Sequence, residues 1–118
     1  MRNLELEIEV EFAGSNIKAD STVIWQFHAP ASEVANVALL LKFWHGRFTL
    51  FVLGVEGDAK ETKPLKVGRG FFGGINFSKD LDSKFKILMP LDQYKWRTED
   101  LMLLQDRSFK IRLVQREP

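Results

Sequence analysis

Ser32-Glu33-Val34-Ala35-Asn36-Val37-Ala38-Leu39-Leu40-Leu41-Lys42-Phe43-Trp44-His45-Gly46 decides the fold, because its apolar residues fit two periods. Val34, Val37, Ala38, Leu41 and Trp44 recur at helical spacing, with Glu33, Asn36 and Lys42 at other angles. The triplet Leu39–Leu41 fits a strand as well, and an extended Val37–Phe43 would turn the chain into a β-sandwich or barrel. The ends of the stretch favour the helix. Ser32 stands at the N-cap position, Glu33 complements the dipole in the first turn, and Gly46 follows as a C′ residue. The expectation is an α+β fold, with one main helix over about 32–45 packed on a mixed or antiparallel sheet.

On the N-terminal side, Leu4, Leu6, Ile8, Val10 and Phe12 alternate with Glu5, Glu7, Glu9 and Glu11, the period of a strand with one buried and one wet face. Ala13-Gly14-Ser15-Asn16 has turn chemistry, and Val23, Trp25 and Phe27 share one face of a second strand, so the two are expected to form a hairpin. On the C-terminal side, Phe48–Leu53 is nearly continuous in apolar residues and reads as a central strand covered on both faces. If it lies parallel to Val23–Phe27, the helix between them makes a right-handed crossover. Gly54 to Lys66 reads as a connection, Phe85–Met89 and Phe109–Val114 as further strands, and Thr98–Leu104 as a short second helix that could start as early as Asp92. No fixed-period repeat is evident.

The chain has 118 residues, which suits a single domain spanning 1–118. It contains no cysteine, which excludes disulfides and thiolate metal sites and suits a reducing, cytoplasmic setting. No apolar run is long enough for a membrane span, and no secretory signal is expected. Charge is uneven: residues 1–60 carry five Lys/Arg against eight Asp/Glu, and residues 61–118 carry twelve against eight.

Gly68-Arg69-Gly70-Phe71-Phe72-Gly73 has the spacing G-x-G-x-x-G, but no buried strand precedes it and no helical pattern follows, so a nucleotide cradle is not indicated. The sharper reading is an exposed contact loop over Gly68–Gly74. From Lys66 to Arg97 there are seven basic residues against three acidic ones, interleaved with aromatic rings, a composition suited to holding a single nucleic-acid strand. The candidate contact residues are Arg69, Phe71, Phe72, Lys79, Lys84, Lys86, Lys95, Trp96 and Arg97. The competing reading makes Phe72, Phe77 and Phe85 core residues and the glycines a bulge or tight turn.

Catalytic chemistry is thinly provided. His28 and His45 are the only histidines, neither belongs to a metal-binding spacing, and no nucleophile elbow occurs. No enzyme, metal or cofactor is expected. The order Thr22–Pro30, then the helix around Glu33–Trp44, then Gly46–Val52 resembles small phage-encoded accessory proteins of unknown function, over residues 17–56. The resemblance implies a short accessory chain that binds rather than catalyses. Two functions stand open: an accessory or structural module acting through a protein partner, or as a homo-oligomer, and a single-strand nucleic-acid-binding module built on segment 66–97. The glutamate comb reads as a wet strand face kept soluble by like charge.

Overall fold

Six strands, all antiparallel to their neighbours, close into a barrel in the order β1-β2-β5-β4-β3-β6. Here β1 is Asn3–Ile17, β2 Thr22–Ala29, β3 Phe48–Leu53, β4 Leu65–Phe77, β5 Ser83–Pro90 and β6 Ser108–Arg116. The computed structural model describes residues 3–43, 45–54 and 64–116. Strict alternation sends Leu6, Ile8 and Val10 of β1, Trp25 and Phe27 of β2, Phe85 and Ile87 of β5, and Ile111 and Leu113 of β6 into the bore, where each is almost fully buried. Each such side chain contributes about 1.5–3 kcal/mol through burial.

The barrel forms although Val37–Phe43 is helical. The main helical segment is Ala31–Phe43, but only Val34–Ala38, here α1, has α geometry, with 3-10 turns on either side. Ser32 lies inside the first 3-10 turn, Glu33 occupies the N-cap of α1 without a capping bond, and Trp44 falls outside the described residues. Because β2 ends and β3 begins at the same end of the barrel, this segment crosses that opening and buries Val37, Leu40 and Phe43. The second helix is also a 3-10 turn, Thr98–Leu104, in which the Asp100 carboxylate accepts the Arg97 backbone N–H at 2.7 Å. It does not reach back to Asp92, since Leu91–Gln93 is a separate turn. Between β5 and β6 it covers the opposite opening with Leu104.

Three further expectations are corrected. β2 and β3 are not parallel neighbours: β2 pairs with β1 and β5, and β3 with β4 and β6. β3 is covered on one face only, with Phe48, Leu50 and Val52 buried and Thr49, Phe51 and Leu53 on the outer face. Ala13–Asn16 is not the hairpin turn. It lies within β1 at a bulge around Gly14, whose φ is +130°, and the turn itself falls at Lys18–Ser21. The expected connection from Gly54 falls mostly on residues 55–63, outside the described residues.

A repeat that the sequence hides is plain in the backbone. The register Phe12↔Phe27 and Gly14↔Gln26 of the first hairpin returns sixty positions on as Phe72↔Ile87 and Gly74↔Lys86, with the bulge at the same place. Positive φ recurs at Gly14 and Gly74 and at Ser21 and Leu81, and the turn bond Lys18 N–H to Thr22 O recurs as Ser78 N–H to Asp82 O. The third strands repeat with one extra residue, so that buried Phe48, Leu50 and Val52 match Phe109, Ile111 and Leu113. The pairs Gln26↔Lys86 and Phe51↔Arg112 are their own images, which places an approximate two-fold axis through the β2–β5 and β3–β6 seams. Each half lends its third strand to the other: β3 lies beside β4, and β6 beside β1.

Where the segment after β2 ends meets the second hairpin turn, His28 Nε2 lies 2.8 Å from Asp82 Oδ2, and Ser78 Oγ donates to the other carboxylate oxygen. The Ser78 bond, then the His28 bond, holds the Asp82 carboxyl below its ordinary range. A pKa lowered by folding stabilises the fold above the ordinary carboxylate value of about 4, and that contribution is lost as pH falls through the depressed value. Asp82→Asn is therefore expected to lower the melting temperature near neutrality, and the two melting curves should converge as the solution is acidified through the depressed value. A difference that stays constant through the acid range would contradict this assignment.

A Cβ on Gly70 would fall 2.3 Å from the Leu88 carbonyl oxygen, whereas the severe contact of one on Gly73 would be with the Cδ1 end of the Leu88 side chain, Lys86 Cβ and O lying at 3.3 Å. Gly70→Ala is expected to cost about 2–3 kcal/mol, at the upper end of overpacking penalties, and Gly73→Ala less. Urea denaturation of the two variants measures the difference.

Candidate basic groove on the outer face

The bulge in β4 builds the site. Between the pairs Leu50↔Gly68 and Phe51↔Lys66 the ladder gains a residue, so Val67 and Gly68 both turn inward while Lys66 and Arg69, three positions apart, stay on the outer face. Across the ladder, Arg69 stands beside Thr49 and Lys66 beside Phe51, and Thr49 in turn neighbours Val114 of β6. Arg47 just before β3 and Arg116 at the end of β6 supply two more cations at the other end of the same surface.

A strap after β5 completes it. Lys95 N–H donates to Val67 O at 2.8 Å, and the Trp96 indole N–H donates to Lys66 O at 3.0 Å. The strap runs so close to β4 that a Cβ on Gly68 would lie 2.4 Å from Gln93 O, which is why glycine stands there. Its rings lock it down from the inside. Trp25 Nε1 donates to the Tyr94 hydroxyl at 3.1 Å, and Trp25 meets Tyr94 and Trp96 edge-on at 5.9 and 5.3 Å. Burial raises the Tyr94 phenol pKa above its usual value, against the opposing effect of the Trp25 bond.

The result is a groove of about 430 Å³ along the outer face of β3, lined by Arg47, Lys66, Arg69, Lys95 and Arg116 and, among the described residues, by no carboxylate. None of these five cations has an ion-pair partner among the described residues. Phe51 lies in the groove, and Phe71, exposed at 37%, follows Arg69 on the same face of β4. A concave surface lined with one sign of charge concentrates counter-charged ligands. Among the described residues no group of three His, Asp or Glu side chains could hold a metal ion, and no helix is long and apolar enough to cross a membrane.

The residues singled out from sequence divide. Arg69 and Lys95 meet in the groove with Phe71 at its margin. Gly68–Gly74 is not a loop but part of β4, and within it Phe72 points inward, 8% exposed. Trp96 fastens the strap to the barrel and has its N–H committed. Lys84 and Lys86 line a different hollow, over β5 and the end of β4 with Gly73 to Asn76, bordered by Gln26. Lys79 sits in the second hairpin turn, at the opposite end from Lys95, and Arg97 pairs with Glu99 at 3.6 Å. Sequence reading missed Arg47, Thr49, Phe51 and Arg116, and it counted Lys66 in the basic segment without naming it a contact residue. The one available signal was Thr49, a polar residue interrupting the apolar β3 run. Compared with family models, curated proteins and solved structures, the chain matches none.

The inward and outward rings are separable. Phe72→Ala is expected to cost about 3–5 kcal/mol of stability, as for a buried phenylalanine, while Phe71→Ala stays within about 1 kcal/mol. Thermal melting of the two variants distinguishes them, and equal losses would contradict the assigned orientation.

Proposed function

We propose that this chain is a non-catalytic binding module whose working surface is the groove over β3, β4 and β6, and that its partner there is a single nucleic-acid strand. The observation that carries this reading is the set of five cations lining one groove, with no carboxylate among its described lining residues. A phosphate backbone neutralises such a set and releases counterions as it binds. Phe51 within the groove and Phe71 at its margin offer faces on which bases can stack, at about 1–3 kcal/mol per base. Arg47 to Phe51 spans four strand steps, roughly 13 Å at 3.3 Å per residue, so the cations are distributed as an extended ligand requires. The outer face of β1, with its four glutamates, repels the same ligand and leaves the groove as the route.

The test is a titration of labelled single- and double-stranded DNA and RNA at low and physiological salt. Single strands are expected to bind most tightly, with affinity falling steeply as salt rises. Lys66→Glu with Arg69→Glu should weaken binding more than tenfold and flatten the dependence of log affinity on log salt by about 0.7 per lost phosphate contact. Lys84→Ala with Lys86→Ala should change affinity less than twofold. No binding of any nucleic acid at low salt would overturn the proposal and leave a protein partner as the reading. The exposed Leu39, Leu41, Met102 and Leu103 at the two covered ends would then be the surfaces to examine.

A further inference from the structure

The approximate two-fold axis through the Phe51↔Arg112 pair carries the basic groove onto a second hollow, between β6, β1 and the end of β3. The match is residue by residue. Arg69 beside Thr49 becomes Glu9 beside Lys110, and Lys66 beside Phe51 becomes Glu7 beside Arg112. Phe48 at the groove floor becomes Phe109. Glu33, sixty positions before Gln93 of the strap, lies against β1, its Oε1 accepting the Glu9 backbone N–H at 2.6 Å. The second hollow, about 600 Å³, therefore has the same strand framework and the opposite charge on its outer strand.

One of its two cations among the described residues is already paired, and the other faces a glutamate across the ladder. Glu7 Oε2 accepts from Arg112 Nε at 3.0 Å and lies 2.9 Å from Nη2, and Glu9 stands directly across the ladder from Lys110. Arg112 is thus ion-paired and Lys110 has a carboxylate as its ladder neighbour, while among the described residues none of the five cations of the basic groove has an ion-pair partner.

We infer that this hollow is a second, silenced copy of the anion-binding groove, and that Glu7 and Glu9 determine specificity by limiting each chain to one bound strand. The inference rests on the reading of the basic groove as the binding surface. A carboxylate column next to the shared β3–β6 seam also fixes the side of the seam on which an anionic strand lies, because like charge repels it from the other side. The comb of β1 is then more than a soluble strand face.

The experiment replaces the outer-strand charges with those of the other half, Glu7→Lys with Glu9→Arg, and counts bound ligands. The probe is a labelled oligothymidylate of about five nucleotides, short enough to occupy one groove, titrated at low salt by fluorescence and calorimetry. Wild type is expected to bind one oligonucleotide per chain and the E7K/E9R variant two. Adding Lys66→Glu and Arg69→Glu to that variant should return the count to one, with the remaining site in the second hollow. Circular dichroism and a thermal melt establish that each variant is folded, and Glu7→Gln with Glu9→Gln provides a milder version that should bind a second probe more weakly. A count that stays at one in folded E7K/E9R overturns the inference while leaving the basic groove standing. Binding by wild type that survives K66E/R69E unchanged overturns the assignment of the first groove. Absence of binding by wild type and all variants overturns both.

Discussion

The exchange of third strands between the two halves is the constraint on which the rest depends. A hairpin of β1 and β2, or of β4 and β5, has two open edges and too little apolar face to be stable alone. Pairing β2 with β5 joins the hairpins at one seam, but the sheet closes only because β3 crosses to β4 and β6 crosses to β1, then pair with each other. The two helical segments are consequences of that crossing. Each must carry the chain from the end of one hairpin over an open end of the barrel to a strand position in the other half, and in doing so it buries Val37, Leu40 and Phe43 at one end and Leu104 at the other. The groove is a consequence too, since Thr49, Arg69 and Val114 are neighbours only where a strand of the first half lies between two of the second.

How much of this could be read beforehand depended on whether the signal was local. The comb of β1, the inward face of β2 and the strands at β5 and β6 follow from alternation within a few residues, and all were legible. The helical reading of the segment after Pro30 was also correct, but it did not exclude a barrel, because a short helical cap and a closed sheet are compatible. Strand order was not legible, since nothing in Phe48–Leu53 states that its neighbours will be β4 and β6. That run is rich in apolar residues on both faces, which mimics a covered central strand, yet the outer positions Thr49 and Phe51 form the groove. Arg47 and Arg116 are sixty-nine positions apart in sequence, and only the β3–β6 register makes them members of one surface.

The repeat was hidden for a related reason. Phe12, Gly14, Asn16, Asp20 and Pro30 return as Phe72, Gly74, Asn76, Asp80 and Pro90, but they mark bulge, turn and strand end, not the bulk of the core. Core positions could diverge as long as they stayed apolar, and Ile8 and Val10 of β1 have Gly68 and Gly70 as their counterparts. Gly68 answers to the strap, with Gln93 and Tyr94 pressed against β4, and Gly70 answers to β5, whose Leu88 O and Met89 side chain leave no room for a Cβ. The run that looked like a flexible contact loop is thus a rigid strand made of glycine by close approach on one side and by positive φ at Gly74.

The scaffold is symmetric and the surface charge is not, and this separation is what gives the fold a site. Core residues on either side of the axis answer to the same packing demand, as Phe48, Leu50 and Val52 do with Phe109, Ile111 and Leu113. Outer residues on β1 and β4 answer only to solvent and to whatever lies against them, so they are free to take opposite signs without disturbing the ladders. Glu9 and Arg69 occupy equivalent places, one within a matched column and the other in a groove of unmatched cations. The bulge at Val67 sharpens the difference, because it brings Lys66 and Arg69 onto one face at a spacing that regular alternation does not allow, while β1 pairs with β6 from Asn3 to Glu11 without interruption. A strand irregularity in one half therefore adds to the difference in charge between two otherwise equivalent faces of the barrel.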